Sequence, residues 1–332
     1  MRVTRLGYQI PNFTYPRVAP KDLFPAVVRQ AQEAEAAGFD TVMVMDHFYQ
    51  LPMLGAPEND MLECYTTLAA LAQHTQRVRL SALVTGNTYR NPALLAKEIT
   101  TLDHVSGGRA QLAIGAGWFQ LEHDSFGFEF GTFTERFERL EEALQIITRM
   151  LGGDRPTVRG KWYSVTNALN SPAPLSKIPV MIGGSGEKKT LRMAAQYADE
   201  VNLICAPGEV AHKLEVLANH CEALGRDRSE LVVTVLSTVC VAPTHELAVA
   251  EVDAFLAARG LDLASMSSED ADRIRAMVTF GDPDEVGEIF TTRLIEGLDG
   301  FAVNAPANCH VEGRVGLLGE VLSKVIGVQG AP

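Results

Sequence analysis

Asp46 and His47 are the adjacent pair in this chain best suited to chemistry, because they close an apolar run. Val42, Met43, Val44 and Met45 precede them. A parallel strand covered on both faces reads as such a continuous apolar stretch. Asp46 and His47 then fall where the strand leaves the sheet. In a barrel of alternating strands and helices, that end is where active sites are built. A histidine there can hold, protonate or polarise a ligand near neutral pH. The pair also reads as a helix-capping Asp followed by a loop His. Other apolar runs end on chemically unusual residues too: Asn12, Thr85 and Asn87, Gly115 and Gly117 with Trp118, and Asn304.

A second local signal is Gly183-Gly184-Ser185-Gly186, followed by Glu187, Lys188 and Lys189. Glycines let backbone N–H groups approach an anion closely, and a helix N-terminus adds partial positive charge. Ser185 can contribute a hydroxyl, and Lys188 or Lys189 can reach the same anion. A cofactor phosphate is the natural ligand. The alternative is a tight strand-to-helix turn that needs glycine, and barrel phosphate sites more often follow the seventh and eighth strands. Gly115 and Gly117 allow close approach to a flat ligand with Trp118 as a wall, or mark a turn before a core Trp. Glu63 reads as a pocket carboxylate or as an acid at a helix N-terminus. His74 and His104 fall on helices. His123 and His310 fall in loops, without partners that spacing can identify. No Ser-His-Asp or Cys-His arrangement follows from spacing, and no His pair has HExxH spacing.

The elements that position these residues alternate along the chain. Strands are expected at 5–10, 41–46, 78–85, 110–115, 179–183, 200–204, 231–241 and 300–304. Helices are expected at 22–37, 62–75, 92–105, 134–151, 188–197, 209–224, 244–258 and 283–296, with a last one at 313–325. Eight βα repeats point to an α/β fold of the TIM (β/α)8 barrel type. A doubly wound sheet is the runner-up, but no Rossmann fingerprint follows the first strand. Gly38 stands at a helix C′, Pro92 and Pro283 at N1 positions, and Asp282 at an N-cap. Segments 157–177 and 260–280 break the repeat and read as insertions on a single domain spanning 1–332.

Composition narrows the function classes. The 332 residues are 46% hydrophobic, enough for a large core. The formal net charge of −12 and the lack of a basic block argue against nucleic-acid partners. No apolar run is long enough for a membrane span, and the N-terminal residues lack the apolar region of a signal peptide. The five cysteines are scattered without a CxxC pair. That pattern fits reduced thiols in a cytoplasm and no metal cluster.

Several longer segments together resemble the luciferase-like monooxygenase superfamily, in the branch that uses the deazaflavin coenzyme F420. They include residues 7–13, 45–48, 83–86, 115–118, 135–144 and 182–191. The most specific are Arg90-Asn91-Pro92-Ala93-Leu94-Leu95-Ala96-Lys97 and Leu102-Asp103-His104-Val105-Ser106-Gly107-Gly108-Arg109. The segment from Gly183 to Thr190 resembles a narrower group of deazaflavin oxidoreductases, many of them actinobacterial. The resemblance implies a bacterial luciferase-like TIM barrel with the cofactor over the C-terminal strand ends. It implies a non-prolyl cis peptide near Ala82-Leu83, give or take one residue, behind the cofactor ring. His47 matches a histidine beside the reactive face of that ring, and residues 183–186 match the phosphate-binding segment.

One departure stands out: some deazaflavin sugar-phosphate dehydrogenases place a catalytic Glu where this chain has Trp118. The expectation is hydride transfer between F420 and a small organic substrate. His47 is the catalytic residue, and Asp46 orients it or caps the backbone. Thr85 and Asn87 contact the ring edge or tail; Ala82, Leu83 and Gly117 complete the cofactor set, and Asn12, Glu63 and Trp118 the substrate pocket. The alternatives are an FMN-dependent monooxygenase served by a partner flavin reductase, and a non-catalytic cofactor-binding protein. A homodimer is a family-level expectation.

Overall fold

The computed structural model describes residues 4–327. In chain order, its first elements are β1 (Arg5–Ile10), α1 (Leu23–Ala36), β2 (Thr41–Val44), α2 (Cys64–Ala72), β3 (Arg79–Ala82) and β4 (Thr85–Gly86). Then come α3 (Pro92–Ser106), β5 (Ala110–Gly115), α4 (Gln120–Phe126), α5 (Phe133–Leu151), β6 (Val158–Arg159) and β7 (Ser164–Val165). β8 (Val180–Gly183), α6 (Thr190–Tyr197), β9 (Glu200–Leu203), α7 (Val210–Ala223) and β10 (Val232–Val241) follow. The last are α8 (His245–Ala257), α9 (Ser268–Arg275), β11 (Thr279–Gly281), α10 (Pro283–Arg293), β12 (Gly300–Asn304) and α11 (Arg314–Val325).

Parallel strands alternate with helices in the order of a TIM (β/α)8 barrel, the expected class. The eight expected strands correspond to β1, β2, β3 with β4, β5, β8, β9, β10 and β12. The third is divided between Ala82 and Thr85, and the Leu83–Val84 peptide in that gap is cis. That bond lies one residue beyond Ala82-Leu83, within the expected margin.

The chain divides into two compact units, with the division passing through β2 after Met43. One unit takes in the chain up to Met43, Tyr49–Leu62 and the residues from Thr234 onward. In it β1 pairs in parallel with β12, β12 with β10, and β10 with β11. Leu6, Tyr8, Phe290 and Phe301 are fully buried in its core. The other unit takes in Val44–Phe48 and Glu63–Val233, and carries the parallel order β3-β5-β8-β9. Leu80, Leu95, Ile99 and Leu112 fill its core.

The helix ends follow local chemistry. Gly38 is left-handed just past α1, at φ 94°, and Gly107 closes α3 in the same region. Asn91 caps α3 by accepting from Ala93 and Leu94, with Pro92 at N1. Asp282 and Glu285 form a capping box at α10. Three local elements go beyond the expectation. Residues 158–165 form the antiparallel β6–β7 hairpin. Segment 260–280 holds α9 and the start of β11. Residues 120–126 form α4, a single short helix where a loop was expected.

Candidate active site

The residues converging on His47 lie in the second unit. His47 follows β2, and its Nδ1 is 2.8 Å from Glu122 Oε2 on α4. The Glu122 side chain has no exposed surface, and that of His47 is 13% exposed. The Phe48 N–H donates to Glu122 Oε1, and the Tyr89 hydroxyl donates to Glu122 Oε2 at 2.5 Å. The imidazole also meets the edges of Trp118 and Phe119, with centroids 5.9 Å away. Nε2 is the ring nitrogen left for a ligand.

Asp46, the neighbour of His47, faces a different set of partners. It accepts two bonds from the Arg90 guanidinium, at 2.6 and 3.0 Å, and one from the Gly86 N–H at 2.9 Å. Burial pushes its carboxyl up, and Arg90 and Gly86 pull it back. These bonds cap the β4 backbone and hold Arg90, while Glu122 is the carboxylate bonded to His47. Arg90 reaches on to Glu63 at 2.8 Å. Glu63 is the N-cap of α2 and accepts from Tyr65 and Thr66. Burial works to raise its carboxyl, but those two N–H groups and Arg90 hold it below the usual carboxylate range. Glu63 therefore follows the helix-terminus alternative.

Ala82 and Leu83 are buried, and the Leu83 N–H donates to Val44 O at 2.8 Å. Val84 explains two glycines. A Cβ on Gly183 would stand 2.5 Å from Val84 Cγ1, and one on Gly115 would stand 3.0 Å from Val84 Cγ2. Thr85 is fully buried and shares a 2.6 Å hydrogen bond with the Tyr65 hydroxyl. Asn87 is 1% exposed, and its Nδ2 is buried without a well-formed hydrogen bond; the Tyr163 hydroxyl is a polar neighbour. The Gly117 carbonyl accepts from Arg136 at 3.1 Å. Trp118 is 54% exposed and stacks on Phe119.

After β8 the chain presents backbone. The Gly184 N–H is bonded to Asn202 O at 2.9 Å. Among the described residues, the Ser185 and Gly186 N–H groups have no hydrogen-bond partner. The Ser185 hydroxyl donates to Ile204 O and accepts from Ile204 N, both at 2.8 Å, so it holds the loop in place. Lys188 is exposed, while Lys189 lies over the Phe133 and Phe137 rings. Asn12 lies in the first unit; its carbonyl accepts the Tyr15 hydroxyl and its Oδ1 meets Cys309 Sγ at 3.7 Å.

Sequence reasoning missed Glu122, Tyr89 and Arg90 as site residues, and it left His123 unpartnered. His123 Nδ1 is 2.9 Å from the Phe119 carbonyl and Nε2 is 2.7 Å from Thr88 Oγ1. Burial lowers its pKa. The available signal was the adjacent acid and imidazole of Glu122-His123 within the aromatic-rich stretch from Trp118 to Phe130. Among the described residues, no His, Cys, Asp or Glu cluster could hold a metal. None of their helices is long and apolar enough to cross a membrane.

The site brings together a buried Asn87 amide, a glycine loop with open N–H groups, and an imidazole anchored through one nitrogen. Residues 4–296 match the family model described as luciferase-like monooxygenase. The chain is 35% identical to an F420-dependent glucose-6-phosphate dehydrogenase of Microbacterium testaceum over 167 residues, 50% of this chain and 48% of that protein. The match thus spans about half the length of that relative. Among solved structures, an F420-dependent secondary alcohol dehydrogenase in complex with an F420-acetone adduct shares the fold. Its TM-score is 0.78 at 21% identity, over 98% of this chain and 99% of that one. The oxygenating constituent of 3,6-diketocamphane monooxygenase from Pseudomonas putida, in complex with FMN, shares it too. There the TM-score is 0.74 at 18% identity, over 97% of this chain and 98% of that one.

Proposed function

Because this chain belongs to the luciferase-like monooxygenase family, we propose that it is an oxidoreductase dependent on coenzyme F420. Its reaction is hydride exchange with a small organic alcohol or carbonyl compound. The observation that carries this reading is His47, tied through Nδ1 to buried Glu122 and keeping Nε2 for a substrate oxygen. The likeness to F420-dependent dehydrogenases supports the choice of cofactor.

Coenzyme F420, when bound, supplies a two-electron hydride carrier. Residues 183–186 would receive its phosphate on the open N–H groups of Ser185 and Gly186. Asn87 Nδ2 would donate to a polar atom of the ring or tail. The segment from Ala82 to Thr85 would back the ring. His47 Nε2 would take the proton from an alcohol oxygen as hydride leaves the adjoining carbon, or return it in the reverse direction. The flat side chains of Trp118 and Phe119 would help exclude water near that proton. Trp118 in place of a carboxylate favours alcohols or carbonyls other than sugar phosphates.

The second reading is an FMN-dependent monooxygenase, which the FMN-bound neighbour of the same fold favours. An anaerobic assay separates the two. The protein is mixed with F420 and a panel of small alcohols, and the deazaflavin absorbance is followed. Bleaching with a subset of alcohols supports the proposal. No bleaching with any of them, together with oxygen uptake and product formation on reduced FMN in a parallel aerobic assay, would overturn it.

A further inference from the structure

Glu122 and Tyr89 invite a closer chemical reading. An ionised carboxylate is acceptor-only, so each group around it must donate. The Phe48 N–H can only donate, and it points at Oε1. The Tyr89 phenol is pushed well above its ordinary pKa by burial, then by its bond to Glu122 and by that charge, so it stays a protonated donor to Oε2. His47 Nδ1, also on Oε2, must then carry a hydrogen. The site thus selects one imidazole tautomer.

The surroundings enforce this arrangement. The same carboxylate grips the His47 ring and the next peptide N–H, fixing both ring and backbone. Tyr89 is seated by a glycine: a Cβ on Gly86 would lie 2.6 Å from Tyr89 Cε2. Its ring packs on Phe48 at 4.8 Å and on Phe128 at 5.2 Å. Other titratable groups nearby are turned elsewhere. Asp46 is bonded to Arg90 and Gly86, and His123 to Thr88 and Phe119.

We propose that Glu122, supported by Tyr89, is the positioning residue that fixes His47 as its Nδ1–H tautomer and presents unprotonated Nε2 to the substrate oxygen. This rests on the reading of His47 as the proton-transfer group. Glu122 touches neither substrate nor cofactor in this role. When Nε2 gains the substrate proton, the adjacent carboxylate stabilises the imidazolium, as the buried acid does in a serine-protease triad.

Glu122→Gln tests the assignment. Its amide oxygen must stay toward the Phe48 N–H, because the reverse orientation sets two N–H groups against each other. The amide NH2 then faces His47 Nδ1, which becomes an acceptor, and the proton moves to Nε2. Long-range 1H–15N NMR of the 15N-histidine-labelled protein without cofactor reads this directly. Expected are Nδ1–H in the wild type, Nε2–H in E122Q, and Nδ1–H retained in Tyr89→Phe. With an alcohol identified by screening, E122Q should lose about a hundredfold or more in kcat with little change in KM. Y89F should lose less than about tenfold. A wild-type His47 protonated at Nε2 would overturn the proposal whether or not the variant folds, as would an unchanged tautomer in folded E122Q. An F420 titration on the same samples isolates the cofactor reading. A wild type that carries Nδ1–H but fails to bind F420 supports the positioning role and counts against F420 alone.

Discussion

The end of β2 and the loop after β8 serve the same proposed site by opposite means. At the end of β2, function rests on side chains held by other buried side chains: His47 on Glu122, Tyr89 on Glu122, Asp46 on Arg90. After β8, the chain offers backbone N–H groups, and its side chains brace the loop or reach solvent. Ser185 is bound to Ile204, and Glu187 is bound to Lys213 at 2.5 Å. The first arrangement suits moving a proton at one defined atom, which needs a fixed ring and tautomer. The second suits holding an anion, which needs only close, correctly aimed N–H groups. Substitutions in the first region should therefore change turnover, and those in the second should change cofactor affinity.

His47→Ala should produce the largest effect. Turnover should fall about 10²–10⁴-fold, the usual worth of a positioned acid–base group, while F420 affinity shifts by no more than a few fold. Steady-state kinetics beside a binding titration would check this, and a large loss of affinity would erase the contrast between the regions. Arg90→Ala comes next. It leaves the Asp46 carboxylate buried without its partner, and removing one member of a buried pair costs about 3–5 kcal/mol. Denaturant unfolding should show that loss.

Gly183→Ala should act on the other region, because its new methyl would meet Val84. Overpacking of this kind costs about 1–3 kcal/mol, and F420 affinity should drop more than kcat does. The smallest effect belongs to Glu63. Its folded-state pKa is depressed, so it contributes stability above its ordinary value of 4.5 that fades as pH falls through the lower folded value. Glu63→Gln should flatten the acid limb of the stability–pH curve and leave kcat near neutral pH unchanged. A large kcat loss would make Glu63 a pocket residue after all.

How much of this was legible in the sequence follows the same division. The strands could be read because burial on both faces makes a strand continuously apolar, as at Val42, Met43 and Val44, although β2 ends two residues before the expected Asp46. Gly38, Pro92 and Asp282 could be read because helix ends obey local rules. The glycine loop was visible as a motif, but the engagement of the Ser185 hydroxyl by Ile204 was not, since it depends on the packing of β9 beside β8. Glu122 escaped notice because it stands 75 residues from His47 on a seven-residue helix that shows little periodicity. Asp46 drew attention for its adjacency to His47. Both residues lie beyond the end of β2, where Asp46 turns to Arg90 and Gly86, and the bond to His47 comes from Glu122 instead.

The most direct test of the central claim is a fluorescence titration of the purified protein without cofactor, first with coenzyme F420 and separately with FMN. Saturable binding of F420, at least about tenfold tighter than FMN, is the predicted result. Tight FMN binding with weak or absent F420 binding would contradict the account and assign the site to flavin-dependent oxygen chemistry.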